Sequence, residues 1–209
     1  GQTRGSLPAT GFAGSAAAGT RVVLQAASLC LLHPDDPGRG PLVRAAVAEL
    51  PAGPARAGLD AFLDATAHRP DLAEHYVAVF DTRRRCCLYL TWWTDGETRR
   101  RGGALAALKE RYRRSGAEFG GTELPDFLPA VLEYAATVDL ADGLALLQEH
   151  RAGIELLRLA LHEAATPYAH VLEAVCALLP GPSPADVAAA KALARSGPPR
   201  EQVGLELAP

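Results

Sequence analysis

Apolar residues recur at the three- and four-residue intervals of an α-helix along most of the chain. Leu72, Tyr76, Val79 and Phe80 form one such stripe, and Leu105, Leu108 and Tyr112 a second. Leu124, Leu128, Val131 and Leu132 form a third, and Leu140, Leu144 and Leu147 with Ile154, Leu157 and Leu161 carry the pattern onward. RVVLQAASLCLL, residues 21–32, reads as a first helix. Short Pro and Gly breaks at HPDDPGRGP, LPAGP and LPGPSP separate these stretches, with no repeat of fixed period and no long linker between them. The pattern predicts one all-α domain over residues 20–196. Residues 1–19, rich in Gly, Ala, Ser and Thr, and residues 197–209, GPPREQVGLELAP, lack any stripe and read as loose ends.

Helix starts are written in the sequence as well. Thr166 precedes Pro167, and Ser183 precedes Pro184 with Asp186 in the first turn, each pairing a cap with a proline at the first helical position. Thr94 and Glu97 have the spacing of a capping box, TDGE, ahead of RRRGGALAALKERYRR. RRRCCLYLTWWTDGETRRRGG, residues 83–103, therefore reads as a helix, a turn and a second helix.

Composition narrows the picture. The 48% hydrophobic content is mostly Ala and Leu with only 6% aromatic residues, which favours helices over a sheet of β-branched strands. With 21 Lys+Arg against 24 Asp+Glu the net charge is −3, so no overall field selects a partner and electrostatic recognition must be local. Four cysteines without a CxxC or a framework spacing point to a reducing compartment and a cytoplasmic protein. No apolar run reaches the roughly 18 residues of a membrane span. RVVLQAASLCLL has the length of a signal h-region, but HPDDP follows it in place of a small-residue cleavage site. LPATG at residues 7–11 matches a sortase signal without the apolar anchor and basic tail that such a signal needs, and reads as chance. The chain has no Met and begins at Gly1, as a processed or trimmed start would.

Candidate chemistry is sparse. Cys86 and Cys87 are adjacent, which strains a disulfide between them, and lack the His or Cys neighbours of a tetrahedral metal site; they read as buried small residues on a helix. His162 and Glu163 open an HExxH pattern that Thr166 fails to close, and GxSxG, GxxxxGK[ST] and GxGxxG are absent. No metal site, stably bound cofactor or catalytic residue is expected. Glu97, Glu110, Glu118, Glu123 and Asp126 interrupt the basic face that Arg83 to Arg85 and Arg99 to Arg101 would otherwise begin, which argues for solvated faces and against nucleic acid. Of Trp92 and Trp93, one ring is expected in the core and one at a surface groove.

TELPDFLPAVLEYAA, residues 122–136, is more specific. Pro129 has no N–H to return to the Pro125 carbonyl, so the helix start is expected to be stepped and that acceptor free. A free acceptor among Glu123, Asp126 and Glu133, beside Leu128 and Tyr134, suits a peptide that is both basic and apolar; a structural kink with solvated acids is the other reading.

FDTRRRCCLYLTWWTDGETRRRGGALAALKERYRRSG, residues 80–116, followed by ELPDFLPAVLEYAA, residues 123–136, resembles the NarJ family, the delta subunit or assembly chaperone of respiratory nitrate reductase, within the TorD-like group. FD, the LYL run, the DGxTRxRG turn and ELPDxLPxxLEY carry the match; RVVLQAASLCLLHPDD and PPREQVGLEL extend it over nearly everything after residue 20. The resemblance implies a single TorD-like helical domain, a monomer or weak homodimer, that is not an enzyme. It implies binding of the N-terminal peptide of the apo catalytic subunit of nitrate reductase, away from the membrane, until that client receives bis-molybdopterin guanine dinucleotide; cofactor biosynthesis proteins are further implied partners. It puts Glu123, Leu124, Pro125, Asp126, Leu128, Pro129, Glu133 and Tyr134 at the client peptide, with Trp93, Arg99 and Arg101. On this reading salt, Asp126→Ala and Glu133→Ala each weaken binding. Phe127 stands where members often have His or Tyr, and Gly103 where many have Met or Gln. A second reading has Arg99 to Arg101 holding the phosphates of GTP or of the molybdopterin dinucleotide at a helix start.

Overall fold

A computed structural model describes residues 10–196, and all of its regular structure is helical apart from one antiparallel bridge between Tyr89 and Phe127. The elements run α1 (Thr10–Cys30), α2 (Arg39–Ala48), α3 (Pro54–Thr66), α4 (Leu72–Tyr76) continued by a π turn (Val77–Asp81), a 3₁₀ turn (Arg84–Cys86), α5 (Leu90–Asp95), α6 (Arg99–Arg114), α7 (Leu128–Thr137), α8 (Leu140–Glu149), α9 (Arg151–Glu163), α10 (Tyr168–Cys176) and α11 (Val187–Ser196). The expected loose ends at residues 1–9 and 197–209, most of LPATG, and the PPREQVGLEL tail lie outside the described residues. Residues 10–19, also expected to be loose, belong to α1.

The apolar stripes read from the sequence become one core. α1 lies along α7, α3 along α10, and α9 between α10 and α11. Leu24, Leu31, Leu128, Leu132, Leu157 and Tyr168 are fully buried there. Polar pins fix the α1–α7 contact: the Ser28 hydroxyl donates to the Pro129 carbonyl at 2.7 Å and Arg21 to the Ala136 carbonyl at 2.7 Å. α7 and α8 meet at Gly143, where an added Cβ would lie 2.2 Å from the Cβ of Ala135. A glycine inside a helix costs about 1 kcal/mol relative to alanine, and here it permits contact closer than two side chains allow. Gly143→Ala is therefore expected to lower stability by about 1–3 kcal/mol, read as a lower urea midpoint at unchanged slope.

Two helix starts differ from the sequence reading, and a third keeps its expected cap. Gly96, at φ +57, ends α5 after Asp95, so Thr94 sits in the last turn of α5 and its hydroxyl donates to the Thr91 carbonyl. Thr98, in extended conformation, precedes α6 instead, and TDGE forms no capping box. Ser183 gives its hydroxyl to Glu155 at 2.8 Å; Asp186 caps α11, accepting the Ala189 N–H at 2.8 Å. Pro167 precedes α10, and the Thr166 hydroxyl accepts the Tyr168 N–H at 3.5 Å, the cap the sequence indicates, while lying 2.7 Å from Nε2 of His75. Residues 83–89, expected as helix, form the short 3₁₀ turn followed by extended backbone, so Cys86 and Cys87 are not on an α-helix.

Candidate functional site

The extended backbone before α5 and the ELPD turn before α7 are joined. The Leu90 N–H donates to the Asp126 carbonyl at 2.9 Å and the Leu128 N–H to the Leu88 carbonyl at 2.8 Å, which sets Tyr89 opposite Phe127. Pro129 falls in the first turn of α7, where no N–H is needed, so the helix begins straight after the turn. The Pro125 carbonyl is not the free acceptor expected: the Tyr112 hydroxyl donates to it at 2.6 Å.

Asp126 points inward and is fully buried. Its Oδ2 accepts the Thr91 N–H at 3.0 Å and the Thr91 hydroxyl at 2.5 Å, with an Arg101 guanidinium nitrogen 3.6 Å away. Arg101 also donates to Thr91 Oγ1 at 3.1 Å. The two halves of the sequence motif, DGxTRxRG and ELPD, thus meet in one internal ion pair that holds α5, α6 and the turn together. Asp126 has no solvent-facing oxygen for a basic partner, and Arg101 is committed, which leaves only the exposed Arg99 and Arg100 of the expected phosphate-holding trio.

Above this lock opens a groove of about 570 Å³. Its apolar floor is aromatic: Tyr76 and Phe80 from α4 and its π turn, Tyr89, Trp92 and Phe127. The π turn keeps Tyr76 and Phe80 together, their ring centroids 4.8 Å apart, and Tyr89 lies 5.3 Å from Phe127. Four carboxylates (Asp35, Asp81, Glu97, Glu123) and three guanidiniums (Arg39, Arg83, Arg84) ring it. Asp35 is tied to Arg39 at 2.8 Å, and that hydrogen bond holds its carboxyl below the usual range. The Tyr89 hydroxyl donates to Glu123 Oε2 at 2.7 Å, and burial, then that bond, pushes the phenol well up, so it stays a donor at neutral pH. Such a groove can take an apolar segment carrying positive charge, with Glu123 and Glu97 at its edge.

The expected site residues divide. Glu123 lines the groove and Leu124, 40% exposed, stands beside it; Pro125, Leu128, Pro129 and Tyr134 are buried in the frame. Glu133 is exposed beside a separate hollow with Tyr112, Phe119 and Val138. Tyr134 donates to Asp142 at 2.7 Å and has no face toward the groove. Trp93, expected at the client peptide, is half-buried against Gly153 of α9 and donates its indole N–H to the Cys87 carbonyl at 3.0 Å, while Trp92 is the ring that lines the groove. Tyr76, Phe80 and Tyr89 were legible only as core-type apolar residues; nothing local distinguishes an aromatic ring at a groove from one in a core. Burial raises the pKa of both Cys86 and Cys87, which keeps them as thiols. Among the described residues no group of three or more His, Cys, Asp or Glu is placed to hold a metal.

A family model described as "Nitrate reductase delta subunit" matches residues 48–174. The nitrate reductase-like protein NarX of Mycobacterium tuberculosis is 51% identical over 104 residues, 50% of this chain but only 16% of NarX, so the match covers a small part of that protein. The probable nitrate reductase molybdenum cofactor assembly chaperone NarJ of Bacillus subtilis is 31% identical over 163 residues, 76% of this chain and 89% of NarJ. The nitrate reductase molybdenum cofactor assembly chaperone NarJ of Escherichia coli is 32% identical over 99 residues, 47% of this chain and 42% of that one.

Proposed function

The chain belongs to the nitrate reductase delta subunit family, and from that premise we propose that it is an assembly chaperone that captures the N-terminal peptide of the apo nitrate reductase catalytic subunit in the aromatic groove. The relatives that support this are named for cofactor assembly and not for catalysis. Capture in the cytoplasm would hold the client until bis-molybdopterin guanine dinucleotide is inserted into it, the cofactor remaining the client's and not the chaperone's. No described helix is long and apolar enough to cross a membrane.

One observation carries the reading: the groove lies directly on the motif segments, with five aromatic rings for an apolar face and Glu123 and Glu97 for basic residues. Aromatic burial supplies affinity and the carboxylates orient the peptide. Glu133 lies apart, beside its own hollow, so its removal leaves this contact intact.

Titration calorimetry with the N-terminal peptide of the catalytic subunit, at low and high salt, tests the proposal. Trp92→Ala is expected to weaken binding by about 2 kcal/mol, a thirtyfold loss. Glu123→Lys should weaken it and flatten its salt dependence, whereas Glu133→Ala should bind like the parent chain. Absence of binding at either salt concentration rejects the proposal; unchanged binding by Trp92→Ala moves the site out of this groove.

A further inference from the structure

Charge is unevenly placed in the aromatic groove. On the loop between α1 and α2, Asp35 and Arg39 neutralise each other at 2.8 Å. Glu97, in the turn between α5 and α6, and Glu123, in the ELPD turn, line the groove, and among the described residues neither is in an ion pair. Glu123 accepts the Tyr89 hydroxyl at 2.7 Å, a neutral donor that leaves the carboxylate charge uncompensated. Both turns belong to the frame held by Asp126 and Arg101, so this wall of the groove is negative.

The wall that follows the π turn has the opposite sign. Arg83 and Arg84 line the groove there, and among the described residues neither guanidinium has an ion pair or a side-chain hydrogen bond. Asp81 lines the same wall and offsets one of the two charges at most. Arg85, next in the chain, is outside the groove and reaches Glu163 of α9 at 3.7 Å. The Cys86 N–H donates to the Arg83 carbonyl at 2.9 Å and the Cys86 side chain is 1% exposed. The 3₁₀ turn is thereby anchored in the core, and the backbone that carries Arg83 and Arg84 is in place before anything binds. A segment lying on the five rings excludes water from both walls, which strengthens each charge contact beyond its value on open surface.

We propose that the groove selects a client segment of mixed charge: an apolar stripe on the aromatic rings, basic side chains at Glu97 and Glu123, and an acidic side chain at Arg83 and Arg84. This selection rests on the peptide reading of the groove and adds the acidic contact to it. A segment with basic and apolar residues alone would fill the floor and the negative wall but leave two guanidiniums facing like charge or nothing.

Titration calorimetry with two probes tests the acidic contact: the N-terminal peptide of the nitrate reductase catalytic subunit, and a copy in which every Asp and Glu is replaced by Asn and Gln. The parent chain is expected to bind the amidated copy about fivefold more weakly, the upper end for an exposed charge pair. Arg83→Gln combined with Arg84→Gln should weaken the natural peptide by a similar factor and bind both probes alike. Arg85→Gln removes the same charge from the same triplet outside the groove, and should prefer the natural peptide as the parent does. An amidated copy that binds the parent as tightly as the natural peptide, or a catalytic subunit whose N-terminal peptide has no acidic side chain, overturns the acidic contact and leaves the peptide reading standing. A preference lost equally in Arg85→Gln overturns it as well, because net charge rather than a place in the groove would then be read. A natural peptide that fails to bind the parent at all rejects the peptide reading, and this selection with it.

Discussion

Asp126→Ala is expected to lower stability by about 3 kcal/mol, the lower end for breaking a buried ion pair. The lower end applies because the Arg101 side chain keeps 23% of its surface exposed and can turn to water once its partner is gone, whereas Asp126 itself is 0% exposed. What cannot turn away is the Thr91 N–H, left without its acceptor inside the joint between α5 and the ELPD turn. Asp126→Asn, which keeps an acceptor for Thr91 but loses the charge, should cost less. Urea denaturation at neutral pH reads both. Peptide affinity of the folded fraction should be unchanged in Asp126→Asn. A variant with parental stability and lost peptide binding would instead return Asp126 to the client, where the motif by itself puts it.

Glu155→Ala is the second large effect, about 3–5 kcal/mol. Glu155 is 0% exposed and accepts from Arg151 at 2.8 Å, Arg158 at 2.6 Å and Ser183 at 2.8 Å. Arg151 and Arg158 also donate to the Pro180 and Pro184 carbonyls, so this carboxylate organises the loop that brings α11 back onto α9. Removing it strands Arg151, whose side chain is 2% exposed. Replacing the pair together, Glu155→Leu with Arg151→Met, should recover much of the loss, because no buried charge remains uncompensated. The same cluster predicts acid sensitivity. Burial raises the Glu155 pKa, but the hydrogen bonds from Arg158, Ser183 and Arg151 outweigh it and leave the carboxyl below its ordinary value of 4.5. A depressed carboxylate stabilises the fold above that ordinary value and loses its contribution as pH falls through the lower, folded one. The parent's melting temperature should therefore drop below about pH 4.5, and the Leu/Met pair should flatten that drop.

The helices were legible because their signals are local. Leu128, Val131 and Leu132 share a face whatever lies opposite, and Pro34 and Pro37 of HPDDPGRGP and the prolines of LPGPSP stand between helices. The family was legible for a related reason, since DGxTRxRG and ELPDxLPxxLEY are ordered strings that can be recognised without knowing their partners. The capping box at TDGE failed where a local pattern met a stronger local constraint, the left-handed turn at Gly96. The helix expected over residues 83–89 failed because that backbone pairs with the ELPD turn.

The candidate site itself was only half legible. Glu123 was found as part of a charged motif, and it does reach the groove. Asp126, three residues on in the same motif, turns the other way, toward Thr91, which is 35 residues distant in the chain. By itself the sequence determined that this protein is a helical member of its family, because periodicity, helix breakers and motif order are properties of neighbouring residues. Only the tertiary structure decided which motif residues hold the frame and which face a partner, because a carboxylate's role depends on the donors that surround it, and those arrive from helices far away in the chain.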